Sequence, residues 1–167
     1  MPPRSANATR SANSSFQAFR ANMARVAGST SVITKGADPL RVLAEEWAIA
    51  EDVPADRTLE RELADAARQD KAAMVDFYAD WCVSCKEMEN YTFANAEVQS
   101  ALSGMVLLQA DVTANDDQDK ALLKKVKVIA PPAILFFDKA GKEQNGYRVV
   151  GSMDADQFLD HLNSVFK

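Results

Sequence analysis

A junction between a strand and a helix, carrying two cysteines, constrains this chain more than any other feature of its sequence. Residues 74–78 form an apolar, aromatic run with the length and residue types of a buried strand. Cys82 and Cys85 follow almost directly, where a segment of helical character begins. A Cys-x-x-Cys motif in this setting is typical of a redox-active dithiol.

The positions of the two sulfurs predict different tasks for them. If the helix begins at Cys82, its sulfur lies among unpaired backbone N–H groups at the positive end of the helix dipole. That environment favours the thiolate, which is the form that attacks a disulfide. Cys85 lies one turn further along the same helix face. We therefore expect Cys82 to be the nucleophile and Cys85 the resolving thiol.

Three other interpretations of the motif compete with redox chemistry. A zinc site needs about four ligands, and the chain offers two cysteines and the distant His161. A structural disulfide closing so short a loop would constrain almost nothing. Two unrelated buried cysteines would not need a strand-to-helix setting. We favour the redox interpretation and expect no metal and no cofactor beyond the Cys82–Cys85 disulfide.

The composition is that of an ordinary globular protein, with 47% hydrophobic and 26% charged residues. A length of 167 residues fits one domain plus an extension. The net charge of −5 argues against a nucleic-acid partner and suits a soluble, monomeric domain. No apolar run approaches the roughly 18 residues that span a membrane, and the N-terminus has no apolar segment of the secretory type.

The first 37 residues contain basic residues but no acidic ones. This composition resembles a transit peptide, but also a disordered linker or a cloning remnant, which we favour because the segment has little to bury. Short helices are predicted over residues 15–26 and 40–47. We expect residues 1–56 to be a largely disordered extension or linker with such short helices, followed by a folded domain over residues 57–167.

The rest of the chain alternates between helical and strand patterns. Helices are predicted over residues 58–69, 82–90, 96–102, 116–124 and 154–166, and strands over residues 74–78, 105–112, 133–137 and 147–150. Turn residues at 139–142 predict a hairpin between the last two strands. This order predicts an α/β fold with a mixed central sheet flanked by helices on both faces.

Two acidic residues are candidates for tuning the dithiol. Asp76 lies in the middle of the apolar strand, where a carboxylate is costly to bury without compensation. It either faces water from an edge strand or lies buried behind the dithiol, where desolvation raises its pKa and lets it accept the proton of Cys85. Glu89 follows Cys85 by four residues on the same helix face. It is either a second titrating carboxylate or a solvated surface charge.

Pro131, Pro132 and Trp81 are candidates for contact with a substrate. The two prolines precede a strand, where they either simply end a loop or form a cis peptide bond before Pro132. Such a loop can expose backbone groups that pair with an extended substrate segment. Trp81 directly precedes Cys82 and offers an apolar contact surface, with an ordinary packing role as the alternative.

These motifs resemble the thioredoxin superfamily in the run from Val75 to Lys86, in Pro132 before an apolar strand and in Gly151 after the last strand. Within that superfamily, further stretches resemble the C-terminal periplasmic domain of the bacterial thiol:disulfide interchange proteins of the DsbD family; they are residues 78–89, 91–93, 106–116 and 134–138. The resemblance covers about residues 57–167, which implies that this part of the chain is a thioredoxin-like domain.

The resemblance implies roles for individual residues. Cys82 would be the nucleophile, Cys85 the resolving thiol and Pro132 the cis-proline, while carboxylates at Asp76 and Glu89 would tune the dithiol. Pro131 departs from the residue expected before the cis-proline, which affects the shape of that loop.

The resemblance also implies an electron relay at the periplasmic face of the bacterial inner membrane. The domain would take electrons from the membrane domain of its own protein and pass them to the N-terminal periplasmic domain, which serves disulfide isomerisation and cytochrome c biogenesis. We therefore expect a thiol–disulfide oxidoreductase acting as a reductase relay. A free-standing reductase or disulfide isomerase, and an inert binding module, are the alternatives. Val83 and Ser84 include no histidine to stabilise the thiolate, which argues against a strong oxidase.

Overall fold

A five-stranded sheet lies at the centre of the computed structural model, which describes residues 24–25 and 59–167. The strands are β1 (Ala24–Arg25), β2 (Ala73–Tyr78), β3 (Val106–Asp111), β4 (Ala133–Phe137) and β5 (Val149–Val150). Their order is β1-β3-β2-β4-β5, with β1, β3 and β2 parallel and β4 and β5 antiparallel to their neighbours. The predicted mixed sheet is confirmed.

Five α-helices accompany the sheet within residues 59–167. They are α1 (Leu59–Arg68), α2 (Val83–Glu87), which continues into a π-helical turn (Met88–Thr92), α3 (Ala96–Leu102), α4 (Asp117–Val126) and α5 (Ala155–Val165). Asp116 and Asp154 are the N-cap residues of α4 and α5. The side chain of each accepts a hydrogen bond from the backbone N–H of the third helical residue, and the side chain of that third residue accepts one from the backbone N–H of the N-cap residue. These local signals explain why the helices of the described domain begin within two residues of their predicted positions.

Alternating residues of the strands face two buried layers. Val75 and Phe77 of β2 lie in a layer shared with α1 and α4, whereas Met74 lies in a layer shared with α3 and α5. Burial of each large apolar side chain contributes roughly 1.5–3 kcal/mol. Helices therefore cover both faces of the sheet, as the sequence predicts.

Strand β1 is the element that the sequence-based prediction lacks. Ala24 and Arg25 pair in parallel with Leu108 and Gln109 of β3, where the sequence indicated the end of a short helix. A two-residue strand is too short to have a periodicity, and its formation depends on the unpaired edge that β3 offers. The second predicted short helix, over residues 40–47, lies outside the described residues.

The sheet topology brings three loops together at one end of the strands. The parallel strands β2 and β3 both finish at this end. Strand β4 is antiparallel to β2 and begins there, since its first residue, Ala133, faces Phe77 near the end of β2. The segment that carries Trp81 and Cys82 therefore meets the loop before β4. None of the helices within residues 59–167 has the length and apolar character needed to cross a bilayer.

Candidate active site

Cys82 and Cys85 are joined by a disulfide at the start of α2, with their Cα atoms 5.3 Å apart. Cys82 is the N-cap residue of the helix, and Cys85 lies in its first turn. The backbone N–H of Cys85 donates a hydrogen bond to Sγ of Cys82 over 3.1 Å. Once the disulfide is reduced, the same N–H is placed to stabilise a thiolate on Cys82.

Both cysteines are nearly enclosed, with 7% of Cys82 and 4% of Cys85 exposed. Sγ of Cys85 lies 4.0 Å from the carbonyl oxygen of Phe77, deep in the layer that the two cysteines share with β2. A reduced Cys85 would have that carbonyl as an acceptor for its S–H group. Cys82 is the more exposed of the two residues and is the N-cap of the helix, so its role as nucleophile stays the favoured prediction.

Asp76 is buried at the centre of the sheet, with 6% of the residue exposed. Strands β3 and β4 flank β2 on either side, so the alternative interpretation, an edge strand on which Asp76 faces water, is wrong. Oδ2 of Asp76 accepts a hydrogen bond from Nε2 of Gln109, its partner in register on β3, over 3.2 Å. Sequence reasoning missed Gln109, although it is the one polar residue in the apolar run 105–110.

Glu89 is buried as well, in the π-helical turn that continues α2. Its burial excludes the interpretation as a solvated surface charge. Asp76 is on the same face of β2 as Met74, which shares a buried layer with Met88 of that turn. Asp76 and the π-helical turn that carries Glu89 therefore lie on the same side of the sheet. The influence of the two carboxylates on the cysteines stays a prediction.

The peptide bond between Pro131 and Pro132 is cis, as the resemblance implies. The carbonyl oxygen of Pro132 accepts a hydrogen bond from the backbone N–H of Gly151 over 3.1 Å. The next residue, Ala133, pairs with Phe77, whose carbonyl lies under Cys85. The proline loop is thus placed beside the disulfide, and its part in substrate binding stays a prediction.

Trp81 is 55% exposed although its indole N–H is bound. Nε1 donates a hydrogen bond to the carbonyl oxygen of Thr113 over 3.1 Å. Val83 within the motif and Ile129 in the loop before the prolines are also exposed. Apolar side chains gathered at one edge of a protein suit contact with another protein. The exposure of Trp81 favours a contact role over the alternative of ordinary packing.

The zinc alternative finds no support between residues 59 and 167. No group of three or more His, Cys, Asp or Glu side chains in this part of the chain is arranged to hold a metal ion. His161 lies on α5, where Nε2 is 2.7 Å from the carbonyl oxygen of Tyr147. The structure therefore does not bring the histidine to the cysteines.

Comparison with known proteins identifies the family. A model of the thioredoxin-like family matches residues 54–139, just over half of the chain. The thiol:disulfide interchange protein DsbD of Salmonella paratyphi A is 57% identical over 98 residues, which make up 59% of this chain and 17% of that protein. The chain thus spans less than a fifth of the length of this relative.

Solved structures extend the comparison to the fold. The C-terminal domain of DsbD from Neisseria meningitidis, in its reduced form, is 36% identical with a TM-score of 0.56 and is covered over 91% of its length by 63% of this chain. A thioredoxin from Thermus thermophilus is 25% identical with a TM-score of 0.54, covered over 82% of its length by 64% of this chain. The chain therefore belongs to the thioredoxin-like family, and its described domain is similar to the C-terminal domain of DsbD.

Proposed function

We propose that this chain is a thiol–disulfide oxidoreductase that acts as a reductase relay, cycling between the dithiol and disulfide states of Cys82 and Cys85. The observation that carries the proposal is the disulfide at the N-terminus of α2, with the backbone N–H of Cys85 directed at Sγ of Cys82. The similarity to DsbD and to its C-terminal domain supports a reductase within the thioredoxin-like family.

The reaction is a pair of disulfide exchanges. In the reduced chain, the Cys82 thiolate attacks one sulfur of a partner disulfide, forms a mixed disulfide and releases the other partner sulfur as a thiolate. Cys85 then loses its proton, attacks Sγ of Cys82 and releases the second partner sulfur. Two electrons and two protons pass to the partner, and the chain is left with the Cys82–Cys85 disulfide. A dithiol donor returns it to the reduced state by the reverse steps.

We propose protein partners on both sides of this reaction. The electron donor is a membrane domain and the acceptor an N-terminal periplasmic domain, both of the same longer protein at the periplasmic face of the inner membrane. The similarity to proteins named for thiol:disulfide interchange supports partners of this chemical class. Residues 57–167 are the thioredoxin-like domain of this proposal, and residues 1–56 are an extension that supplies β1 to its sheet.

The reduction potential of the Cys82–Cys85 pair tests the direction of electron flow. Equilibration with a series of glutathione or dithiothreitol ratios, followed by thiol alkylation, gives the potential; each 30 mV corresponds to about 1.4 kcal/mol for a two-electron couple. We expect a value near the thioredoxin end, at about −270 mV. A value near about −120 mV, as in a strong oxidase, would overturn the reductase proposal and favour an oxidase or isomerase.

A trapping experiment tests the order of the two thiols. The Cys85→Ser variant cannot resolve a mixed disulfide, so it should accumulate a covalent adduct with a model protein disulfide such as insulin. The Cys82→Ser variant is the matched control, because it retains one thiol at the same site but lacks the nucleophile. Equal adduct formation by both variants would contradict the assigned roles. Absence of any reactive thiol after mild reduction would instead favour an inert binding module.

A further inference from the structure

Thr113 connects the loop that follows β3 with the segment that leads into the disulfide. Its Oγ1 accepts a hydrogen bond from the backbone N–H of Asp80 over 2.9 Å. Its carbonyl oxygen accepts the indole N–H of Trp81 over 3.1 Å. Two consecutive residues directly before Cys82 are therefore bound to a single residue that lies more than thirty positions further along the chain.

Thr113 is itself fixed by Asp111 at the end of β3. Both the backbone N–H and the hydroxyl of Thr113 donate to Oδ1 of Asp111, over 3.0 and 2.5 Å. These two bonds hold the backbone and the side chain of Thr113, the residue whose carbonyl oxygen faces Trp81. The register of β2 and β3 places the whole arrangement, because Tyr78 and Asp111 are paired at the ends of the two strands.

Only a hydroxyl side chain satisfies both neighbours of Oγ1. The hydroxyl donates to the Asp111 carboxylate and accepts from the Asp80 amide at the same time, and among short side chains only serine and threonine can do both. Asp80 is held a second time, since the hydroxyl of Tyr78 donates to Oδ1 of Asp80 over 2.7 Å. The segment before Cys82 thus has a defined conformation although Asp80 and Trp81 are exposed.

The consequence is a large exposed aromatic ring held in one orientation beside Cys82. The ring of Trp81 has one polar atom, and that atom is committed to Thr113, which restricts the rotamers open to the side chain. An aromatic side chain that is ordered before binding loses little conformational freedom when a partner covers it. A free ring at the same position would contact a partner equally well but would have to be ordered first.

We propose that Thr113 is a positioning residue for protein substrates, acting through Trp81 and the backbone before Cys82. This inference rests on the proposed function and deepens it. Under this inference, the β3–α4 loop helps the protein to prefer disulfides in folded or extended polypeptides over small-molecule disulfides. Only a polypeptide covers the Trp81 ring while its disulfide reaches Cys82.

The test compares a protein disulfide with a small one. Thr113→Val removes the hydroxyl at nearly constant volume, and Thr113→Ser retains it. With dithiothreitol as reductant, KM and kcat are measured for insulin and for bis(2-hydroxyethyl) disulfide. Loss of hydrogen bonds of this kind should raise KM for insulin about three- to tenfold in Thr113→Val, with a smaller effect on kcat. The preference for insulin over the small disulfide should fall accordingly, and Thr113→Ser should restore it.

A spectroscopic measurement follows the ring directly. The chain has two tryptophans, so Trp47→Phe leaves Trp81 as the single emitter. Its fluorescence anisotropy should fall in Thr113→Val and recover in Thr113→Ser. Ser103→Ala is the matched control, because it also removes an exposed hydroxyl that donates to a backbone carbonyl, far from the disulfide. If Thr113→Val does not fold, Asp111→Ala removes the acceptor that orients Thr113 and provides the second route.

Three outcomes would overturn the inference. They are unchanged KM and anisotropy in Thr113→Val, failure of Thr113→Ser to restore either quantity, and an equal loss with both disulfides, which would mean that Thr113 acts on the cysteine chemistry itself. If the wild-type chain reduced neither disulfide, the proposed function would fail, whereas the anisotropy comparison would still decide whether Thr113 orients Trp81.

Discussion

The carboxylate of Asp76 accepts a hydrogen bond from the side-chain amide of Gln109, the residue that faces it in register on the neighbouring parallel strand. Both side chains are buried in the middle of a sheet whose other central residues are apolar. A buried polar pair of this kind is retained at a cost in desolvation, which favours a functional reason for it. The side of the sheet on which Asp76 lies is the one that the π-helical turn after α2 covers through Met88.

We expect Asp76→Asn to make the reduced cysteines more reactive at neutral pH. In the hypothesis that Asp76 tunes the dithiol, its negative charge disfavours a second negative charge on sulfur, so removing it should allow the thiolate to form at lower pH. Alkylation by iodoacetamide should be about three- to tenfold faster at neutral pH, with its pH profile shifted to lower pH. Mass spectrometry of the reduced protein over a pH series gives both quantities.

Asp160→Asn is the control for this prediction, since it neutralises an exposed aspartate on α5. It should leave the alkylation profile at its wild-type position. An unchanged profile in Asp76→Asn would contradict a role for this carboxylate in tuning the dithiol. A shift to higher pH would contradict the electrostatic reason and point to a loss of packing around the cysteines.

A half-buried ion pair ties the β4–β5 hairpin to the end of α4. Arg148 donates to both carboxylate oxygens of Glu143, over 2.5 and 3.0 Å, and also to the carbonyl oxygen of Lys127 over 3.3 Å. The two side chains are 23% and 20% exposed. We expect Glu143→Gln to lower the free energy of unfolding by about 1–2 kcal/mol, because charge-assisted bidentate bonds away from water are stronger than exposed ones.

The exposed pair of Asp70 and Lys139 provides the comparison, with side chains 83% and 66% exposed. Asp70→Asn makes the same isosteric change and should alter the free energy of unfolding by less than about 0.5 kcal/mol. Urea denaturation of both variants, followed by circular dichroism, measures the difference. Equal effects would mean that burial does not strengthen the Glu143–Arg148 pair.

Much of the fold could be predicted because its signals are local. The capping residues Asp116 and Asp154 mark the starts of two helices, and the apolar run 133–137 marks a strand. The dithiol could be predicted for the same reason, since the spacing of the two cysteines and the strand-to-helix junction around them are both visible within a few residues. Sequence reasoning could also name the two alternatives for Asp76.

The remaining features depend on contacts between distant parts of the chain. Whether Asp76 faces water depends on β4 pairing beside β2, which places the strand in the interior of the sheet. The contact between Trp81 and Thr113 depends on the parallel register of two strands, and no local pattern around Thr113 announces it. The partner of β1 is likewise a strand more than eighty residues away. Local periodicity carries no information about such pairings.

The raised pKa of Asp119 predicts how the free energy of unfolding depends on pH. Burial raises the pKa of its carboxyl, and the nearby Asp116 and Asp111 carboxylates act in the same direction, against backbone hydrogen bonds from Asp116 and Asn115 that lower it. A carboxyl whose pKa is raised in the folded state does not lower the free energy of unfolding at low pH, because there it is protonated in both the folded and the unfolded state. As pH rises above the ordinary aspartate range, the folded state is destabilised relative to the unfolded one.

We therefore expect Asp119→Asn to raise the free energy of unfolding at neutral pH, on the order of 1 kcal/mol for a buried polar oxygen that lacks full compensation. The carbonyl oxygen of asparagine can still accept the hydrogen bond that the Asp116 amide donates. The gain should shrink as pH falls through the range in which Asp119 becomes protonated. Urea denaturation of both proteins over a pH series gives this difference, and a gain independent of pH would contradict the titration of Asp119 as its cause.

The pairing of β1 with β3 predicts that the folded unit includes part of the N-terminal extension. Ala24 and Arg25 cover an edge of the sheet whose backbone groups would otherwise be bound only by water. We expect a chain reduced to residues 57–167 to retain the disulfide and the other strands but to lose hydrogen-exchange protection at the β3 amides that face β1. The amides of β2, which lie between two strands, should keep their protection.

Two substitutions at Arg25 distinguish the contribution of the strand's backbone from that of the arginine charge. Arg25→Pro removes a backbone donor and should reproduce the loss of protection at β3 if that donor belongs to the ladder, whereas Arg25→Ala keeps the backbone and should not. Equal exchange in the full chain, the shortened chain and both variants would mean that β1 adds nothing to the stability of the sheet. In that case residue 57 would be an adequate start for the domain, because the unpaired edge of β3 would be as stable as the paired one.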